Sequence, residues 1–374
     1  MRKLCYLSGT RADFGLMQRT LQAINVDPAF TLDVVVTGMH LSEYFGLTVR
    51  EIEAAGLTVA ERIPVAIESA TGAAMAQNLA LTLAGCVKAF EKLQPDIVLL
   101  LGDRGEMLAG AIAAIHLNIP IVHLHGGERS GTVDEPVRHA ISKLSHYHFV
   151  ATVGAKERLE RMGERADRIF VTGAPGLDGL TALATLDRTA LCQRLGLQPT
   201  DKIALFLYHA VLQESQEIVA QEAGCLLEGC LQQGLQVIAL MPNADAGSDV
   251  VHARLEAEAN NPRVRVLTHL PRQEFVSWMA ACDVMVGNSS SGIIEASSFG
   301  VPVVNMGMRQ HMRERNPNVL DADCSNLEEV LKMALAKAKT PHNLYGDGHA
   351  GERIAEHLKT IDISHTVLLK TNVY

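Results

Sequence analysis

The chain has 374 residues, of which 48% are hydrophobic and 20% are charged, and this length and composition predict two globular domains. The formal net charge is −9 and no Lys/Arg-rich run stands out, which argues against nucleic acid and an anionic membrane as partners. The seven cysteines are scattered without CxxC spacing, so we expect no disulfides. No signal-peptide pattern follows Met1 and no apolar stretch is found to reach about 18 residues, so we expect a cytoplasmic protein.

Short β-branched apolar runs alternate with longer amphipathic stretches from one end of the chain to the other. The first series of predicted strands covers 3–8, 32–36, 97–101, 121–124, 147–151 and 169–172. The second series covers 202–207, 236–240, 264–268, 283–287 and 303–306. Predicted helices include 75–93, 106–117, 135–144 and 213–233. Near-continuous apolar strands separated by helices are typical of buried parallel sheets, so the fold class is α/β.

The best domain boundary is the turn Gly173-Ala174-Pro175-Gly176, which follows the last strand of the first series. We therefore predict one domain over 1–173 and a second over 174–349, each the size of a doubly wound Rossmann-like unit. Ligands in such sheets lie at the carboxyl ends of the strands, so two facing sheets place them in the crevice between the domains.

The first predicted strand ends in Ser8-Gly9-Thr10-Arg11-Ala12-Asp13. A helix that opens at this turn would offer free backbone N–H groups, and Arg11 would add a bidentate clamp for phosphate. An ordinary capped turn with an exposed Arg fits equally well. Another motif, Gly102-Asp103-Arg104, also follows a predicted strand, so Asp103 is either a catalytic carboxylate or the N-cap of the next helix.

The densest polar stretch runs from His123 to His139, with three His, two Arg and three carboxylates in 17 residues. Its Gly126-Gly127 pair allows close backbone approach. The His residues lack the HxxxH spacing of a helical metal site, so acid/base work by side chains such as His125, Glu128 and Asp134 is favoured over metal binding.

In the second half, His209 follows a strand and Asn243 begins another turn at a strand end. The sharper motif is Gly287-Asn288-Ser289-Ser290-Ser291-Gly292-Ile293-Ile294-Glu295. Hydroxyls and free N–H groups at a helix start suit a diphosphate, and Glu295 could accept hydrogen bonds from ribose hydroxyls. A Ser N-cap with Glu295 closing a capping box is the structural alternative, and both can hold together. No Walker-type Lys is present.

These motifs resemble the hydrolysing UDP-N-acetylglucosamine 2-epimerases, bacterial sialic-acid-pathway enzymes that also form half of the bifunctional animal epimerase/kinase. The resemblance rests on Gly-Asp-Arg at 102–104, His-x-x-Gly-Gly-Glu-x-Ser-Gly-Thr-x-Asp-x-x-x-Arg-His at 123–139 and Gly-Asn-Ser-Ser-Ser-Gly-x-x-Glu at 287–295. Thr-Arg-Ala-Asp at 10–13 and Pro-Asn-x-Asp-Ala-Gly-Ser at 242–248 extend it over nearly the whole chain.

The resemblance implies a GT-B-like fold whose last helix, within about 350–374, crosses back to the first domain. It implies elimination of UDP to a glycal and hydration to free N-acetylmannosamine, with no cofactor and no metal. The residues implied as catalytic are Asp103, His125, Glu128, Asp134 and His209. Those implied for substrate or UDP are Arg11, Arg104, Arg138, Asn243, Ser289, Ser290, Ser291, Gly292, Glu295 and Arg309. Many relatives place Glu where this chain has His125, which leaves the division of acid/base roles open.

The nearest alternative is the same reaction on a UDP-2,4-diacetamido-2,4,6-trideoxyhexose, as in legionaminic-acid pathways. More remote are a non-hydrolysing epimerase, a GT-B glycosyltransferase and a non-catalytic UDP-sugar sensor. The first is disfavoured because its loop typically reads Arg-Pro-Glu where this chain has Arg11-Ala12-Asp13. The resemblance also implies a homo-oligomer, a dimer or a tetramer, that acts on a small-molecule UDP-amino sugar.

Overall fold

The protein is described by a computed structural model that covers residues 1–67, 71–243 and 245–373. Its first half folds into a parallel sheet of seven strands in the order β3-β2-β1-β4-β5-β6-β7. The strands are β1 Arg2–Ser8, β2 Phe30–Thr37, β3 Val59–Ile63, β4 Ile97–Leu101, β5 Ile121–Leu124, β6 Tyr147–Val150 and β7 Ile169–Val171. The helices of this half are α1 Arg11–Val26, α2 Val49–Ala54, α3 Gly72–Leu93, α4 Gly105–His116, α5 Asp134–Leu144 and α6 Val153–Arg161.

The second half forms a parallel sheet of six strands in the order β10-β9-β8-β11-β12-β13. The strands are β8 Ile203–Leu207, β9 Gln236–Leu240, β10 Val264–Leu267, β11 Val284–Gly287, β12 Val303–Met306 and β13 Val319–Ala322. The helices are α7 Leu180–Leu183, α8 Arg188–Leu195, α9 Gln216–Gln232, α10 Ser248–Glu256, α11 Arg272–Ala281, α12 Ser290–Ile294, α13 Leu327–Ala336, α14 Ala350–Thr360 and α15 His365–Leu368. Short 3₁₀ turns cover Gly38–Leu41, Ala166–Arg168, Pro175–Leu177 and Ala296–Phe299.

The sheets confirm the predicted α/β class and the GT-B-like arrangement of two Rossmann-like units. Every predicted strand is present with shifts of one or two residues at the ends. Two strands were not predicted, β3 and β13, and both lie at an edge of their sheet. Edge strands have one unpaired edge and carry charges that discourage further pairing, which explains Glu61 and Arg62 in β3 and Asp321 in β13 and the weaker apolar pattern of both strands.

The chain crosses back to the first sheet at its carboxyl end. Ile354 and Leu358 of α14 are fully buried in the core that contains Met17 and Leu21 of α1, and burying a side chain of this size contributes about 1.5–3 kcal/mol. Arg2 fixes the end of the helix, because its Nη1 donates to the carbonyl oxygens of Leu358 and Ile361 at 2.8 Å each. The boundary between 173 and 174 stays a prediction; residues beside it are tied to the returning segment, since Ala174 N–H donates to Tyr345 O at 2.8 Å.

The helix α3 departs from one expectation. Among the described residues it is long and apolar enough to cross a membrane by length and composition, with a mean hydropathy of 1.2, so the expectation that no apolar stretch reaches about 18 residues is wrong. Glycine, alanine and leucine dominate the helix and charges come only near its end. In the fold α3 lies beside α4 and buries Cys86 and Phe90, while Leu81 stays 54% exposed. It is one of the helices that cover a face of the first sheet. The absence of a membrane partner remains a prediction.

Candidate active site

Both sheets reverse their strand order at one point, and the loops at these points carry most of the predicted site residues. In the first sheet the reversal lies between β1 and β4, and in the second it lies between β8 and β11. Crevices at such switch points are the preferred ligand sites of open α/β sheets. Arg11 and Asp103 lie at the first reversal, and His209 and the serine cluster lie at the second.

The first loop is a capped helix start whose arginine, Arg11, faces the crevice. Thr10 is the N-cap of α1 and forms a capping box with Asp13, whose carboxylate also accepts from the Gly9 N–H at 3.0 Å. Arg11 points across the crevice instead and contacts Nδ1 of His269, while His269 Nε2 pairs with Glu51 at 2.9 Å. The capped turn and the cleft-facing arginine therefore coexist, and phosphate binding by Arg11 stays a proposal.

Asp103 does not cap a helix. The N-cap position of α4 is Arg104, without a side-chain cap hydrogen bond, and Asp103 instead accepts a hydrogen bond from Nη2 of Arg138. Arg138 is 1% exposed and its other guanidinium contacts are with Glu128 O at 3.0 Å and Ser130 Oγ at 3.3 Å. Arg138 therefore lies behind Asp103 and holds it in place.

The pKa values of Asp103 and Asp134 are shifted in opposite directions. Burial raises the pKa of Asp103, but Arg138, Arg313 and Arg309 outweigh burial and lower the net pKa to about 2. Burial and then the charge of Asp103 raise the pKa of Asp134 to about 6, against the opposing effect of Arg309. A pair of neighbouring carboxyl groups whose pKa values are driven apart is typical of acid/base sites.

His125 adopts a left-handed backbone conformation with φ of 61°, which is uncommon for residues other than glycine. Its Nδ1 lies 2.5 Å from Oε1 of Glu128, so an ionised Glu128 fixes the tautomer with the proton on Nδ1. Burial and the neighbouring Arg313 lower the pKa of His125 to about 3. The imidazole is therefore neutral near pH 7 and presents Nε2 as an acceptor.

The loop 307–318 after β12 brings basic residues of the second half to these carboxylates. Arg309 Nη2 lies 3.8 Å from Asp134 Oδ2, and its Nη1 donates to Asn288 O at 3.1 Å. Arg313 pairs with Glu128 and lies 3.8 Å from Asp103. Arg309 was predicted as a site residue, whereas Arg313 was missed.

His209 is held by its neighbours at the end of β8. Its backbone N–H donates to Asn288 Oδ1 at 2.7 Å, and its O accepts from Asn288 Nδ2 at 2.8 Å. The N–H of Asn243 lies 3.5 Å from His209 Nδ1, which favours the tautomer with the proton on Nε2. Burial and the positive charge of Arg309 lower the pKa of His209 to about 3, so it can donate as a neutral imidazole.

The serine loop opens a helix of only five residues, α12. Ser289 is its N-cap position but makes no side-chain cap hydrogen bond, so the capping box with Glu295 is absent. Ser289 Oγ and Ser291 Oγ lie 2.9 Å apart, and Ser290 and Ser291 are partly exposed. Gly292 is buried, and a Cβ there would lie 3.0 Å from Val303 Cγ1. A larger residue at this position would therefore crowd the Val303 side chain of β12.

Glu295 is 3% exposed and pairs with Arg272 of α11. Arg272 also donates to Gly176 O at 3.2 Å, so this ion pair lies beside the segment that joins the two halves. A cavity of about 730 Å³ adjoins it and is lined by residues of α1, α2, 175–178 and 271–273. A buried ion pair beside an open cavity can exchange partners with ribose hydroxyls.

Sequence reasoning missed several residues that complete the cleft. Arg104 Nη1 lies 3.3 Å from Asp245 Oδ1 across the crevice, and Asp245 follows a strand end as Asn243 does. Asp245 lies five residues after the end of β9, in the same turn as Asn243, so membership of that polar turn was the signal available for it. Within residues 1–67, 71–243 and 245–373 no group of three or more His, Cys, Asp or Glu side chains could hold a metal ion. The absence of a metal and of a cofactor remains a prediction.

The fold and the crevice define a class: GT-B-like α/β proteins with two parallel-sheet domains, whose strand ends carry carboxyl groups on one sheet and a serine-rich loop on the other. Within this class the chain belongs to the UDP-N-acetylglucosamine 2-epimerase family, whose model matches residues 22–359.

The chain is 49% identical to a hydrolysing UDP-N,N'-diacetylbacillosamine 2-epimerase of Legionella pneumophila over 100% of both chains. It is 32% identical to a hydrolysing GDP/UDP-N,N'-diacetylbacillosamine 2-epimerase of Campylobacter jejuni, over 90% of this chain and 88% of the relative. The crystal structure of UDP-GlcNAc 2-epimerase from Neisseria meningitidis bound to UDP-GlcNAc superposes with a TM-score of 0.81 at 20% identity, over 95% of this chain and 99% of that chain. At that identity the likeness concerns the fold alone.

Proposed function

We propose that this protein is a hydrolysing 2-epimerase that converts UDP-N,N'-diacetylbacillosamine, a UDP-2,4-diacetamido-2,4,6-trideoxyhexose, into the free 2-epimeric sugar and UDP. The observation that carries the reaction type is the pair of crevice carboxyl groups Asp103, which Arg138 fixes, and Asp134, which lies 3.8 Å from Arg309; their pKa values are displaced in opposite directions. The choice of sugar is supported by the relatives from Legionella pneumophila and Campylobacter jejuni.

In this proposal the second half binds UDP. His209 donates from Nε2, and the serine hydroxyls and backbone N–H groups at 289–291 donate to the diphosphate, where charge develops as UDP leaves. Arg309 and Arg11 balance the phosphate charge from either side. Glu295 and Arg272 bind the ribose. The donors at 289–291 act locally, because a five-residue helix contributes little macrodipole.

The first half carries out the proton transfers. A base whose pKa lies near neutral pH removes the C2 proton while the C1–O bond to UDP breaks, which leaves a 2-acetamidoglycal. Asp134 suits this step better than Asp103, because a pKa of about 6 lies near the operating pH. Water then adds its hydroxyl at C1 and a proton at C2 on the opposite face. His125 and Glu128 are the acid/base groups that remain for hydration, with Asp103 as a fixed negative charge.

A second candidate substrate is UDP-N-acetylglucosamine, which the family description names and which the sequence motifs at 102–104, 123–139 and 287–295 favour. It differs by a 6-hydroxyl in place of hydrogen and a 4-hydroxyl in place of an acetamido group. Next to His209 the chain continues with Ala210 and Val211, both buried, and Leu212, which is 42% exposed. Ala210 belongs to the apolar core of the second half, so this segment does not choose between the two sugars; one small group in an apolar pocket alters kcat/KM by about 10- to 200-fold, and the kinetics decide.

The test is a proton NMR time course in deuterated water with each UDP sugar in turn. We expect UDP and a free sugar deuterated at C2 from the diacetamido substrate, with a kcat/KM about 10- to 200-fold above that for UDP-N-acetylglucosamine. The reverse preference would support the second candidate and a sialic-acid precursor as product. Turnover that needs an added acceptor would identify a glycosyltransferase, and tight binding without turnover would identify a sensor.

The exposed apolar face of α3, which includes Leu81, supports the further proposal that the protein is a homo-oligomer, with a second copy covering this face. Leu81→Glu should lower the mass measured by light scattering, while a wild-type protein that already elutes as a monomer would contradict the proposal.

A further inference from the structure

The loop 307–318 belongs to the second half but reaches the catalytic carboxylates of the first. Arg313 forms an ion pair with Glu128 and lies 3.8 Å from Asp103. Its side chain is 8% exposed and that of Glu128 is 3% exposed. Such burial makes the pairing obligatory, because removing one partner leaves an uncompensated buried charge.

We propose that Arg313 is a positioning residue for the reaction: it crosses from the second half to fix Asp103 and Glu128, so that the catalytic groups are complete only when the crevice is closed. This role rests on the proposed function for its chemistry. It is separate from UDP binding, which Arg309 serves from the same loop.

The geometry distinguishes Arg313 from an ordinary surface ion pair. Asp103 lies between two guanidinium groups, Arg138 from its own half and Arg313 from the other. Glu128 in turn holds His125 through the 2.5 Å contact with Nδ1. One guanidinium therefore touches both branches of the catalytic set, the Asp103 branch directly and the His125 branch through Glu128.

The loop is anchored so that Arg313 has little freedom. Glu314, the next residue, pairs with Arg158 of α6 at 3.1 Å and accepts from Thr152 Oγ1 at 2.6 Å. Its backbone O accepts from Tyr345 Oη at 2.8 Å. The loop is thus fastened to the first half at one residue and presents Arg313 at the preceding one. The pairing groups of Arg313 are therefore its terminal nitrogens, which contact Glu128 and lie 3.8 Å from Asp103.

The experiment compares Arg313→Gln and Arg313→Lys with Arg161→Gln, which removes a charge from a side chain that is 78% exposed. We expect Arg313→Gln to lower kcat about 10²-fold, the scale for a misplaced catalytic group, with the Kd for UDP within about three-fold of wild type. Arg313→Lys should recover part of kcat, and Arg161→Gln should match wild type. A parallel loss of UDP affinity, or an unchanged kcat, would overturn the proposal. Circular dichroism checks that each variant folds.

A second readout does not depend on turnover. The ¹³C chemical shift of the Asp103 carboxyl, followed against pH, gives its titration midpoint in the presence of Arg138, Arg309, Asp134, His123 and His125, the charged and titratable groups that also face it. Because Arg313 lowers the pKa of Asp103, Arg313→Gln should raise that midpoint. An unchanged midpoint would count against Arg313. If wild type releases no UDP, the proposed function fails while this titration still decides the placement of Arg313.

Discussion

Replacing Asp134 by Asn separates the chemical step from nucleotide binding. Asn keeps the size and hydrogen-bonding capacity of Asp but cannot take up a proton, and loss of a general acid/base group costs about 10²–10⁴ in rate. Asp134 lies 3.8 Å from Arg309, a residue that we assign to UDP. Removing the carboxylate therefore leaves Arg309 free for phosphate, so UDP affinity should stay within a few-fold of wild type.

The assay measures kcat by UDP release and the Kd for UDP by calorimetry on the same preparation. Asp167→Asn is the matched control, since that carboxylate is 64% exposed and pairs only with Arg165 among the described contacts. The expected pattern is a kcat reduced by about 10²–10⁴ with a near-normal Kd in Asp134→Asn, and wild-type values for both in the control. Parallel loss of UDP binding would refute the assignment of Asp134 to proton transfer.

Three further predictions test the remaining parts of the site. Ser290→Ala combined with Ser291→Ala should weaken UDP binding by about 10²- to 10⁴-fold, because each of two hydrogen bonds to a charged group contributes about 1.5–3 kcal/mol; exposed Ser325→Ala is the control, and an unchanged Kd would remove the serines from the diphosphate site. Since the pKa of Asp134 is raised to about 6, it is protonated below that value, so log kcat/KM should fall as pH drops through about 6, whereas a rate that rises toward acid pH would make Asp134 the acid. Treatment with a chelator should leave the rate unchanged, and a loss that zinc or magnesium restores would indicate a metal site.

The site residues at strand ends were predictable from the sequence, because each follows directly after a buried apolar strand. Asp103, His209 and Ser289 each come one or two residues after an apolar run, and parallel strands all end at one edge of the sheet. A pattern of apolar runs therefore indicates both the fold and the edge where the site lies. Asp245 does not follow this rule, because it lies five residues after β9, beyond Asn243 and in a turn that is equally well explained as structural.

Pairing across the crevice was not predictable, because it depends on how the two sheets face each other. Arg11 with His269 and Arg104 with Asp245 join residues separated by more than 100 positions. A single sequence places an arginine at a strand end but not the carboxylate opposite it. The same limit explains why Asp103 could be read as a helix cap until Arg138 was found behind it.

The basic loop after β12 unites these observations. The run 309–315 contains three Arg residues and one Glu. Two of the arginines, Arg309 and Arg313, are four positions apart and pair with Asp134 and Glu128 of the first half. Opening the crevice would separate both pairs at once and leave Asp134 and Glu128 without their counter-charges. Under the proposed role of Arg313, opening the crevice removes the charge that the second half supplies to Asp103, whereas Arg138 of the first half stays beside it, so closure and proton transfer are linked.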